Sequence, residues 1–132
     1  MPPSFKGEKV GKGPSDLVLD LYSNLIKEIW EMVSALIGEA ILAFLFILAI
    51  RKLGAKYSFL NSIKVSEEGI SLERVREDCR NVTPVEIHRG FQSLVNHLSH
   101  LFSALAEGVI NKELFPKVFP KFKEADRIIS QK

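Results

Sequence analysis

Three histidines, a single cysteine and one carboxylate in apolar surroundings are the side chains of this 132-residue chain whose types could do chemistry. His97 and His100 stand three apart, which brings two imidazoles to one side of a helix, and His88 opens the same segment. A metal ion asks for more ligands than that. The chain has neither a Glu-x-x-His pair nor a His-Glu-x-x-His run, and Cys79 is alone, so no metal and no cofactor are expected. A phosphoacceptor histidine would want basic neighbours, and Val95-Asn96-His97-Leu98-Ser99-His100 offers none. Arg76 and Arg80 beside Cys79 could lower its thiol pKa, yet no base stands at a spacing that would make it a nucleophile. Gly11-Lys12-Gly13-Pro14 lacks the Gly-x-x-x-x-Gly-Lys-Ser/Thr spacing of a phosphate loop. With no acid and base paired by sequence, the expected function is not enzymatic.

The carboxylate is Glu39. It sits in Leu36 to Ile50, the most apolar stretch of the chain, where no polar side chain occurs from Ala40 onward before Arg51 and Lys52. A helix without a polar face must be kept from water on every side, which makes this stretch the predicted centre of the fold. A buried Glu39 would need a partner or a raised pKa, with His97 or Arg89 as the candidates. The other reading leaves Glu39 at the margin of the core, reaching solvent.

The elements that must position these residues read as helices. Residues 1–13 carry Pro2, Pro3, Gly7, Gly11 and Gly13 among Lys6, Lys9 and Lys12, a composition with little to bury, and are expected to form a flexible basic arm. Residues 14–132 are expected to form a single helical domain. Ser15 or Asp16 can cap a first helix whose apolar positions Val18, Leu21, Tyr22, Leu25, Ile29, Met32 and Leu36 recur every three or four residues. Gly38 is either a close-contact point within one long helix or a break. Residues 63–71 are compatible with a short β-hairpin, and Ser71 can cap a charged helix from Leu72 to Arg80. Thr83-Pro84-Val85-Glu86 starts a long helix, with threonine as cap, proline at the first position and glutamate placed to return a bond. Its seam is Ile87, Phe91, Leu94, Leu98, Leu101 and Leu105. Asn111 starts a last segment that Pro116 and Pro120 are expected to divide. The fold class is therefore all-α, a four- or five-helix bundle around a central, all-round apolar helix.

Between Arg89 and Glu107 the long helix carries no charged residue, and its polar positions include Gln92, Asn96, Ser99, His100 and Ser103. Small uncharged residues where solvent normally meets Lys or Glu suggest a second packing surface, against another part of the fold or another subunit. These five are the interface candidates. The leading expectation is a small regulatory, adaptor or sensor-type module acting through protein–protein contact with a protein partner. It is expected to be homo-oligomeric, with a dimer favoured. Eighteen Lys+Arg against sixteen Asp+Glu give a net charge of +2, which is no nucleic-acid signature. One cysteine and no evident signal peptide suggest the cytoplasm. The alternative is a membrane-associated subunit: residues 32–50 hold one charge in nineteen residues, against the about 20 apolar residues that a span needs. A further alternative is an apolar-ligand carrier with a pocket beside Phe44, Phe46, Phe91 and Phe102.

Overall fold

The computed structural model of the protein describes residues 13–105 and 108–130, so the expected basic arm lies outside the described residues except for Gly13. The first helix, α1 (Pro14–Ile37), begins two residues earlier than a cap at Ser15 would imply and three earlier than one at Asp16. Pro14 takes the first position and Gly13 caps it without a side-chain bond, while Asp16 lies in the first turn, where a negative charge meets the amide end. Its inner face is Val18, Leu19, Tyr22, Leu25, Ile26, Ile29, Trp30 and Val33.

Gly38 breaks the apolar run. Its φ of +91° is a region that L side chains rarely enter, and its N–H closes α1 on the Ser34 carbonyl at 2.8 Å. A second helix, α2 (Glu39–Gly54), starts at once. The continuous span over residues 32–50 is thereby overturned. Sixteen residues of α2 measure about 24 Å against a hydrocarbon layer of about 30 Å. Among the described residues no helix is long and apolar enough to cross a membrane.

The apolar character of α2 is as expected, but its burial is not. Leu42, Ala43, Leu45, Phe46, Ala49 and Ile50 face the core, whereas Ile41, Phe44, Ile47 and Leu48 are exposed by 51, 59, 39 and 38%. The reason is architectural. α1, the 3-10 turn after α2 and the long helix that begins at Pro84 cover one side of α2, while the last helix packs against α1 and that same long helix, which leaves the outer side of α2 bare.

After α2, a 3-10 turn (Ser58–Ser62) leads into the hairpin of β1 (Lys64–Ser66) and β2 (Gly69–Ser71). The strands are antiparallel, with Val65 opposite Ile70. The short α3 (Glu73–Asp78) buries Val75 and is tied to α1 by Arg76, which donates to Asp16 at 2.9 Å and Asp20 at 2.5 Å. The Ser62 hydroxyl donates to Asp78, so the 3-10 turn is fastened to the end of α3.

α4 (Pro84–Ser103) starts as its sequence dictates, with Thr83 Oγ1 accepting from the Glu86 N–H at 3.2 Å. Its buried seam runs through Ile87, Phe91, Leu94, Leu98 and Phe102; Leu101 is half-buried, and Leu105 lies beyond the helix, 47% exposed. α5 (Val109–Ser130) is one helix, not two. Pro116 and Pro120 are both exposed, so the carbonyls that lose their amide donors, four residues earlier, can be met by water. The inward row Ile110, Leu114, Val118, Phe122 and Ala125 keeps the helix docked across both prolines. Side chains from all five helices of the described residues join one apolar cluster. The fold is an all-helical bundle with a short hairpin.

Candidate functional site

Two polar contacts fix how α5 lies on α4, and they bear directly on the interface predicted from sequence. Near the start of α5, the Asn111 side-chain amide donates to the Ser99 carbonyl at 2.8 Å; near its end, Asp126 Oδ1 stands 3.0 Å from His88 Nε2. The two helices are therefore antiparallel, and Ser99, 8% exposed, is covered by α5. Part of the charge-free face of α4 is thus an internal seam. Gln92 is half-buried, while Asn96, His100 and Ser103 remain exposed, with the Ser103 hydroxyl returned to the His100 carbonyl at 2.7 Å.

The His97 and His100 rings lie 6.3 Å apart. Burial, then the charges of Lys52 and His100, push the His97 pKa below its usual 6.5, which places this part of α4 beside the C-terminal end of α2. Among the described residues no three His, Cys, Asp or Glu side chains gather where they could hold a metal ion. Glu39 is exposed at the first turn of α2, where its charge favours the amide end. The buried-charge reading is overturned, because the break at Gly38 puts Glu39 at a helix tip. Neither His97 nor Arg89 pairs with it among the described residues. Cys79 is buried, and burial raises its thiol from the usual 9.0 to about 12, with Asp78 adding to the rise and Arg76 opposing it. Desolvation outweighs the neighbouring arginine, so the expected lowering of this thiol's pKa by Arg76 and Arg80 does not occur.

Sequence reasoning missed a chain of polar groups that runs through the bundle. The Tyr22 hydroxyl of α1 lies 2.7 Å from His88 Nδ1, and His88 Nε2 reaches Asp126 of α5. With its proton on Nε2, the imidazole accepts the phenol proton at Nδ1 and turns a donor towards the carboxylate. Tyr22 stacks on Phe91 at 5.2 Å and is fully buried, while Asp126 is largely in solvent. Burial, and then Asp126, push the Tyr22 pKa well above its usual 10.0. The chain links three helices, and of its three groups the Asp126 carboxylate is the one that reaches solvent. One signal was available: a tyrosine on a core seam normally needs a hydroxyl partner, and His88 lies one position from the Ile87 seam.

The pocket expected beside four phenylalanines does not form. Phe46, Phe91 and Phe102 are fully buried in the packed core, and Phe44 points outward. Two open clefts instead flank Arg76, one bordered by Asp20, Lys27 and Ser71, the other by Asp16, Glu77 and Cys79. Charged side chains border both.

What remains is the bare side of α2. At about 100° per residue, Ala40, Ile41, Phe44, Ile47 and Leu48 fall within an arc of roughly 120°. All five are exposed, and Arg51 closes the stripe. Sequence reasoning missed it because a helix apolar on every side carries no mark of which side faces out. No family model matches the chain, and comparisons with curated proteins and with solved structures give no match.

Proposed function

We propose that the chain is a non-enzymatic helical module of the regulatory, adaptor or sensor type that works by protein–protein contact and self-associates. Its working surface is the outer side of α2. The observation that carries this reading is the stripe itself, with Phe44 exposed by 59% and Ile41 by 51% on one helix face. A helix needed only for its core side would carry Lys or Glu at these positions, and a contiguous apolar patch is the mark of a surface that is covered in use. Asn96 and His100, exposed on α4, which packs against α2, add polar positions to the proposed contact. The burial of the Tyr22 hydroxyl supports a structural role for the Tyr22–His88–Asp126 chain and so a non-enzymatic reading. The single buried thiol suits a reducing compartment, and the cytoplasm is the proposed setting.

Sedimentation velocity with circular dichroism tests the reading. The wild type is expected to sediment above its monomer mass of 14.9 kDa, and Phe44→Glu to return to that mass with an unchanged helical signal. A wild type that stays monomeric throughout a wide concentration range, or a Phe44→Glu protein that assembles like the wild type, sinks it.

A further inference from the structure

We propose that the α2 stripe is covered by a second copy of this chain, whose own α2 runs antiparallel about a two-fold axis passing at Phe44. The inference rests on the reading of α2 as the working surface and adds the partner's placement. A two-fold interface must match itself, and the exposed apolar residues of α2 do so. Ala40, Ile41, Ile47 and Leu48 lie at equal steps on either side of Phe44, four and three residues before it and three and four after it. Rotation about Phe44 sets that ring on its own copy, Ile41 on Ile47 of the copy, and the small Ala40 opposite Leu48, so that a knob meets a gap at each end.

The charges select the direction. The exposed acidic Glu39 lies at one end, at the tip of α2; exposed Arg51, Lys52 and Lys56 lie at the other. An antiparallel pair brings each acidic end towards the copy's basic end, whereas a parallel pair would set like charges together. The helix dipoles favour the same arrangement. The same distribution disfavours a lipid surface as the occupant, because an interfacial helix uses basic residues along its polar face and an anionic headgroup layer would repel the Glu39 end.

Thiol cross-linking of the full chain reads the register, since the native Cys79 is buried and held as the thiol. Ala40→Cys and Leu48→Cys proteins are prepared separately, oxidised alone, and oxidised as an equal mixture. The mixed 40-to-48 disulfide is expected to form at least several-fold faster than either same-site disulfide, and Phe44→Cys is expected to cross-link readily to itself. Same-site disulfides at 40 and at 48 that form as fast as the mixed one, in a protein still of dimer mass, overturn the antiparallel placement while leaving α2 as the working surface. A wild-type protein of monomer mass overturns both. Monomer mass in solution together with co-sedimentation on anionic phospholipid vesicles, lost in Phe44→Glu, assigns the stripe to a membrane instead and overturns the second copy.

Discussion

Among the described residues the Tyr22 hydroxyl has one partner, and that partner is itself shared. With the phenol fully buried and 2.7 Å from His88 Nδ1, removal of the imidazole strands a donor away from water, which costs about 1–3 kcal/mol. His88→Ala should therefore destabilise the fold by at least that amount in urea unfolding. Tyr22→Phe, which deletes the donor and leaves Nδ1 unpaired, should cost less, since the phenyl ring keeps its stack on Phe91. Equal stability of His88→Ala and wild type would remove the structural role given to this chain. Alkali acts on the same interior. Cys79 titrates at about 12 in the fold against a usual 9.0, and Tyr22 is raised above its usual 10.0. Both groups keep their protons in the fold at a pH where the unfolded chain has released them, so the unfolded state binds fewer protons and stability falls as pH rises. The loss should begin near pH 9.0, where the unfolded thiol ionises, and continue to pH 12 and beyond as Tyr22 joins. Urea midpoints measured from about pH 8 to about pH 11 should decline, and Cys79→Ala should move the onset upward. A flat profile in wild type contradicts the burial of both groups.

Three elements depend on backbone features that could be read in part from sequence. Gly38 was visible as the place where the polar face of α1 ends, but not whether it broke the helix; the answer is its φ of +91°, set by how α2 turns back onto α1. Gly38→Ala should cost about 1–3 kcal/mol, since open space surrounds the position and only backbone strain opposes the methyl. Gly90 gave no signal at all. It lies inside α4, and a Cβ there would come within 2.5 Å of Phe59 Cζ, because the 3-10 turn lays its aromatic ring across the helix. Gly90→Ala should destabilise by about 1–3 kcal/mol, against the gain that helix propensity alone would give. The prolines of α5 misled in the other direction: local rules end a helix at Pro116, but the five inward apolar residues of α5 hold it together. Because both rings are exposed, Pro116→Ala and Pro120→Ala should each raise the melting temperature, since a proline within a helix costs about 3 kcal/mol. A fall in melting temperature would show that the rings pack against something. The Thr83 cap, by contrast, was fully legible, because all of its partners lie within four residues.

At the scale of the whole molecule, composition and spacing reveal that α2 is apolar but not which neighbours it meets. Sidedness is normally written by polar residues, and between Ala40 and Ile50 there are none to write it. Phe44 and Phe46 are indistinguishable by type and two positions apart, yet one is 59% exposed and the other fully buried beside Trp30 at 5.7 Å. Their alanine variants should separate cleanly. Phe46→Ala empties core volume and should cost about 3–5 kcal/mol, at any protein concentration. Phe44→Ala removes little from the monomer, so its effect should depend on assembly. If the stripe is covered by another chain, the wild-type melting temperature rises with protein concentration, because association stabilises only the folded state. In Phe44→Ala that concentration dependence should flatten, and at high dilution the two proteins should melt together. Calorimetry across a hundredfold range of concentration, about 2.7 kcal/mol of mass-action stabilisation when the upper limit is a hundred dissociation constants, reads the difference. A wild type whose melting point does not move with concentration, or a Phe44→Ala protein as damaged at high dilution as Phe46→Ala, would place Phe44 in the service of the fold and leave α2 without a function of its own.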